Sequence, residues 1–289
     1  MNNTVDLLEK IEKAYPKFSK GQKKIANYIL KNYEKAAFMT AASLSENTDV
    51  SCSTVVRFAV ELGYDGYPQL QKALHEMVRT KLTAVQRMEV TSHRMGDRDV
   101  LSTILNYDIL KIKQTLEEIN RDAFEAAVNT IVNAKRIYVL GVRSSSSLAG
   151  FLGFYLNIIF DNVRLINTTS ASEIFEQIMK IDKDDVVIGI TFPRYSARTL
   201  KAIQYAKNQD AKVVAITDSE SSPLTKYANH TLIARSDIAS FVDSLVAPLS
   251  VINALIVALG MIKKDSVYDN FNKLEKIWDE YNVYEKVDK

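Results

Sequence analysis

From Arg136 onward the sequence alternates between short β-branched apolar runs and helical segments, and this alternation constrains the fold more than any other feature. The runs RIYVLG at 136–141, VRLIN at 163–167, DVVIGIT at 185–191, KVVAITD at 212–218 and HTLIAR at 230–235 are five candidate strands. Each is nearly continuously apolar rather than alternating, as expected of strands covered by helices on both faces. The pattern predicts a doubly wound five-stranded parallel α/β domain. Up to about residue 120 the periodicity is purely helical, so an all-α N-terminal region precedes that domain.

Between the two textures, Gln86 to Asp99 is polar and without apolar helical period, which reads as a linker. The expected division is a helical domain over 1–77, a linker over 78–99, the α/β domain over 100–262 and a helical tail over 263–289. Leu101, Leu105, Ile109, Ile112, Leu116 and Ile119 recur every three or four residues, predicting a helix that packs one face on the α/β domain. The tail carries Phe271, Leu274, Ile277, Trp278 and Tyr281 at helical spacing, a face suited to a neighbour.

Composition narrows the classes further. With 37 Lys and Arg against 35 Asp and Glu the net charge is +2, so any polyanion contact is local rather than driven by a global field. The lone cysteine, Cys52, forms no internal disulfide, and MNNTVDLLEK has no signal-peptide core, so a cytoplasmic location is expected. Leu245 to Ile262 has the length of a membrane span, but Pro248, Ser250 and Asn253 interrupt it, which favours a helix buried in a domain and no membrane partner.

The first half contains one motif with a mechanism. In LSENTDVSCSTVVRFAVELG, residues 44–63, Asp49 occupies a turn, Val50 plugs the corner, and Val55 and Phe58 point inward from the next helix, which is helix-turn-helix spacing. Aspartate tolerates the left-handed backbone that such a turn requires. Ser51 is the predicted N-cap of the second helix, and Cys52, Ser53, Thr54 and Arg57 lie outward near its start. Helix-start amides and hydroxyls bind phosphate, and arginine pairs with guanine. Lys20, Lys23, Lys24 and Lys35 are available to neutralise phosphates of double-stranded DNA.

In the second half two loops concentrate hydroxyls where an open parallel sheet binds ligands, beyond the carboxyl ends of its strands. GVRSSSS, 141–147, follows the first strand; TFPRYSART, 191–199, follows the third; both open helices. Serine hydroxyls and free amides at a helix start cradle phosphate without a metal. GVRSS lacks the glycine pattern of a dinucleotide fold, so no nucleotide cofactor is expected, and His75, His93 and His230 lack metal-ligand spacing.

Residues 39–74, MTAASLSENTDVSCSTVVRFAVELGYDGYPQLQKAL, fit SxxTVxRFxxxLGxxGxxxL and resemble the N-terminal domain of the RpiR family of bacterial transcriptional regulators. Members of that family join this domain to a sugar isomerase (SIS) domain that senses phosphorylated sugars. Ser145 falls on the first serine of a GxGxS loop, and Thr191 and Ser196 on the ends of an SxSGxT loop, which with Ser144 and Ser146 are the implied ligand-binding set. The resemblance implies a cytoplasmic homodimer or higher homo-oligomer that reads a palindromic operator and responds to a phosphorylated sugar or sugar acid. The departures are Arg143 at a loop glycine, Pro193 at the middle serine and Arg194 at the second glycine. Two guanidiniums there predict an effector rich in negative charge; the competing reading has each arginine braced by an acid such as Glu173 or Asp243.

The alternative to a regulator is a phosphosugar isomerase with a helical extension. Isomerisation needs a base to move a proton between carbons, and Glu173, Glu220, His230 and Asp243 are of suitable type. None is tied by spacing to the serine loops, so no catalytic residue is assigned.

Overall fold

The computed structural model describes residues 7–96, 99–168, 170–236 and 242–285, without the side chains of residues 79, 80, 93 and 94. His93 therefore lies outside the described side chains. The described chain falls into two units: one runs to Val100 and takes in Val242 and Asp243, and the other comprises Leu101–Ser236 and the residues from Ser244 on.

The first unit is built from α1 (Leu7–Ala14), α2 (Lys20–Lys31), α3 (Tyr33–Ala36), α4 (Ala41–Thr48), α5 (Cys52–Glu61), α6 (Tyr67–Lys81) and α7 (Ala84–Met95). Hydroxyl side chains start four of these helices: Ser19 in a capping box with Gln22, Thr40, Ser51, and Thr83 in a capping box with Gln86. Each cap satisfies an amide that would otherwise lack a partner, at about 1 kcal/mol apiece. Ile11, Ile25, Ile29, Leu44, Val55, Phe58, Leu70 and Leu74 form a sealed core, each aliphatic side chain contributing roughly 1.5–3 kcal/mol.

The stretch expected as a linker is the helix α7. Its inward face is carried by Val90 and by Arg87, which is 2% exposed and bonds through Nη1 to Asp243 Oδ1 at 2.8 Å. A buried arginine standing where an apolar residue is usual removed the periodic signal.

The second unit opens with α8 (Val100–Glu118) and α9 (Arg121–Val132), then alternates: β1 (Ile137–Gly141), α10 (Ser145–Ile159), β2 (Val163–Ile166), α11 (Ala171–Ile178), β3 (Val186–Ile190), α12 (Ala197–Asn208), β4 (Lys212–Thr217), β5 (His230–Ile233), α13 (Val246–Ile262) and α14 (Lys264–Glu280). The five strands are parallel in the order β2-β1-β3-β4-β5. Every residue of β1 and β3 is buried, whereas the edge strands β2 and β5 are partly open. One sheet face is covered by residues of α9, α10 and α13, the other by residues of α11 and α12. The chain segment weighed as a membrane span is α13, with Val251, Ile252, Leu255 and Leu259 in the core. No single helix among the described residues is long and apolar enough to cross a membrane.

α8 departs from expectation. The face formed by Leu101, Leu105, Ile109, Ile112 and Leu116 is 36–67% exposed, while the helix buries Thr115 and bonds through Asp108 to Ser244. Polar contacts to the loops around Arg235 and Ser244 turn the apolar stripe away from the sheet. α14 likewise buries no residue fully.

Candidate functional site

In the first unit α4 ends at Asp49, whose backbone adopts the left-handed region at φ 49° and ψ 56°. Val50 follows, its amide donating to the Ser45 carbonyl at 3.1 Å, and Ser51 caps α5 by accepting from the Thr54 amide at 3.3 Å. This is the helix-turn-helix geometry the spacing predicted, with Val55 and Phe58 fully buried beneath it. The Ser51 hydroxyl is also 2.8 Å from Ser53 Oγ and 2.9 Å from Thr54 Oγ1. Arg57 lies one turn on, exposed, its guanidinium donating from Nη2 to Ser53 Oγ and from Nε to the Ser53 carbonyl, both at 3.3 Å. Ser51, Ser53, Thr54 and Arg57 thus form one polar surface at the start of α5. Lys20 is exposed at the start of α2. Lys24 is committed elsewhere: its Nζ sits 2.8 Å from Asp49 Oδ2, and this bond and charge hold the Asp49 carboxyl below its usual range. Cys52 Sγ is 3.3 Å from Ser45 Oγ, across the turn.

In the second unit the strand order reverses between β1 and β3. Gly141 lies opposite Ile190, so residues 142–147 and 191–196 leave the sheet side by side at its carboxyl edge. That is where doubly wound folds bind ligands.

After β1 the chain turns through Arg143 at φ 57° and enters α10 at Ser145. Ser144 occupies the cap position yet makes no side-chain capping bond. Ser146 folds back instead, donating from its amide and hydroxyl to the Arg143 carbonyl at 2.9 and 2.6 Å. Ser145 is only 5% exposed, and its hydroxyl has no hydrogen-bond partner among the described residues. The turn depends on Gly141, because a Cβ there would lie 2.5 Å from the Ser145 carbonyl oxygen.

After β3 the loop is tied into its own structure. Ser196 Oγ caps α12 by accepting from the Thr199 amide at 3.3 Å, and Thr191 Oγ1 accepts from the Ser196 amide at 3.2 Å. The Thr191 carbonyl accepts from Thr217 Oγ1 at 2.8 Å, and Tyr195 donates to Asp218 Oδ1 at 3.0 Å. Arg194 stands between them at φ 64°. Sequence reading passed over Tyr195, Asp218 and Thr199. Asp218 lies in the hydroxyl-rich run that follows β4, which is the signal that could have found it. Thr199 is fully buried with its Oγ1 unpartnered.

Arg143 and Arg194 are exposed, and neither side chain has an ion pair or hydrogen bond among the described residues. The acids expected to brace them are engaged: Glu173 accepts from Thr168 Oγ1, and Asp243 pairs with Arg87. Neither Glu173 nor Asp243 braces these arginines. His230 begins β5, at the amino ends of the strands and so at the edge opposite the serine loops. There its Nε2 is 2.9 Å from Thr130 Oγ1, and burial together with Lys212 lowers its pKa. Two cavities, of about 470 and 660 Å³, also open at that amino edge, beside Lys135 and Asp184. They contain none of the serine-loop residues.

The fold and these two surfaces define a class: a helix-turn-helix DNA-binding domain followed by an α/β ligand domain of the SIS type. The helix-turn-helix domain of the rpiR family matches residues 5–81, and the SIS domain matches residues 130–258. An uncharacterized HTH-type transcriptional regulator of Clostridium perfringens is 26% identical over 231 residues, 78% of this chain and 80% of that protein. One from Caldanaerobacter subterraneus is 25% identical over 272 residues, 91% and 93% of the two chains. Among solved structures, the NanR protein of Vibrio vulnificus complexed with ManNAc-6P superposes with a TM-score of 0.58 at 22% identity, covering 94% of this chain and 98% of that one. The sugar isomerase domain of an RpiR transcription factor from Sphaerobacter thermophilus superposes with a TM-score of 0.58 at 25% identity, covering 61% of this chain and 97% of that one. The chain is a transcriptional regulator that joins a helix-turn-helix domain of the rpiR family to a SIS domain.

Proposed function

We propose that the chain is a non-enzymatic, cytoplasmic regulator of sugar or sugar-acid metabolism that binds operator DNA through α5 and a phosphorylated sugar or related anion at the crevice between β1 and β3. The observation that carries the reading is the uncapped start of α10 beside the strand-order reversal. Its free amides, with Ser144 and Ser145, supply the donors a phosphate needs, and Ser146 joins them only by leaving the Arg143 carbonyl. The phosphosugar held by the NanR protein is in keeping with this assignment. His230 stands at the wrong edge of the sheet to act as a base there, and Glu173 is engaged with Thr168, which favours sensing over isomerisation.

Operator binding is assigned to Ser51, Ser53, Thr54 and Arg57, with Lys20 and Lys24 near the phosphates; Lys24 reaches one only by leaving Asp49. A homodimer suits a palindromic site, since one helix-turn-helix reads few base pairs. The exposed stripe of α8 offers the apolar surface for it. Thermal-shift measurements of the full chain against phosphosugars test the ligand assignment, a specific ligand raising the melting temperature. Gel shifts at matched salt test the DNA assignment: Arg57→Ala is expected to lose about 1–3 kcal/mol of operator affinity with ligand binding intact. Parental operator affinity in Arg57→Ala, or turnover of a sugar phosphate by the full chain, would overturn the corresponding half of the proposal.

A further inference from the structure

The loops after β1 and β3 carry the same two features. Each has an exposed arginine in the left-handed region without a partner among the described residues, Arg143 at φ 57° and Arg194 at φ 64°. Each leads into a helix whose first turn holds a hydroxyl without a partner among the described residues: Ser145 in α10, a residue 5% exposed, and Thr199 in α12, whose Oγ1 is fully buried. Left-handed backbone is costly for arginine and free for glycine. A buried hydroxyl without a partner also costs stability, and such groups in a folded protein call for an explanation. The acids closest in kind are already spent: Glu173 on Thr168, Asp218 on Tyr195 and Thr217, and Asp243 on Arg87. Two fixed positive charges therefore stand on adjacent loops with no counter-charge paired to them among the described residues.

A single phosphate at the start of α10 is served by amides and serine hydroxyls alone. It does not account for a second guanidinium on a different loop, before a different helix. We infer that the crevice takes an effector with two separate anionic groups, a phosphate together with a carboxylate or a second phosphate, with Arg143 pairing one and Arg194 the other. Guanidinium forks bind carboxylate and phosphate bidentately, which selects both charge and spacing. The inference rests on the phosphosugar reading above and narrows it to a class of ligand.

The test is calorimetry on the full chain with matched probes: glucose 6-phosphate against gluconate 6-phosphate, and fructose 6-phosphate against fructose 1,6-bisphosphate, with inorganic phosphate as reference. The variants are Arg143→Gly and Arg194→Gly. Glycine adopts the observed φ without strain, so both are expected to fold, as circular dichroism will check. In at least one pair the probe with the extra anionic group should bind about tenfold tighter or more; the variant lacking the arginine that pairs the extra group should lose that advantage while binding the other probe nearly as the parent does, and the variant lacking the arginine on the shared phosphate should weaken both probes alike. Equal affinity within both pairs, or parental affinity for the doubly charged probe in both variants, overturns the inference and leaves the phosphosugar reading standing. So does an equal loss for both probes of a pair in both variants, which would place both arginines on one phosphate. Absence of binding by all four sugars and by phosphate overturns both readings together.

Discussion

The two hydroxyl-rich loops look alike in sequence and are used in opposite ways. After β3, Ser196, Thr191 and Tyr195 spend their polar atoms on the loop's own backbone and on Asp218. After β1, Ser144 leaves the helix uncapped and Ser145 keeps its hydroxyl unpartnered. A capped helix start is a finished structure; an uncapped one retains amides and a positive dipole end for something else. On the proposed reading, this difference is why the phosphate is given to the first loop and a positioning role to the second, although both contribute an arginine.

The comparison is open to direct attack. The largest effect is expected from Gly141→Ala, whose added methyl group would press on the Ser145 carbonyl at 2.5 Å. It should cost about 1–3 kcal/mol in thermal stability and remove measurable phosphosugar binding, because the backbone of the first loop has to shift. Intact binding would show that the first loop does not hold the ligand. Next, Ser145→Ala is expected to weaken binding by about 1.5–3 kcal/mol in calorimetry with the melting temperature unchanged, since its hydroxyl supports nothing in the free protein. Ser196→Ala should do the reverse: loss of its cap lowers stability by about 1 kcal/mol, with affinity nearly parental. If the two serines exchange these outcomes, the assignment of roles is inverted. The smallest change belongs to Tyr195→Phe, about 0.5–1 kcal/mol in stability, because Asp218 keeps its bond from Thr217.

Much of this architecture was legible because it depends on local chemistry. β1, β3 and β4 announce themselves as nearly continuous apolar runs rich in β-branched residues, since both faces of a central parallel strand are covered. Ser51 and Asp49 mark the helix-turn-helix because a cap and a left-handed turn are short-range requirements. What failed depended on distant partners. α7 was hidden because its inward face uses an arginine whose carboxylate lies 156 residues away. The stripe on α8 has the periodicity of a buried face, and periodicity does not say which neighbour buries it. Within the site, sequence located the hydroxyls but not their state: whether Ser145 or Ser196 is free depends on tertiary bonds that no spacing encodes.

The bond between Arg87 and Asp243 has a consequence for modularity. The helical unit is not contiguous in the chain, because it borrows Val242 and Asp243 from the connection between β5 and α13. A fragment ending after α7 would carry the whole helix-turn-helix and still lack the carboxylate that matches a buried charge. Gene fusions or truncations that treat the first hundred residues as a portable DNA reader would inherit that deficit. In this chain the helical and α/β units are interleaved in sequence, so neither is inherited whole without part of the other.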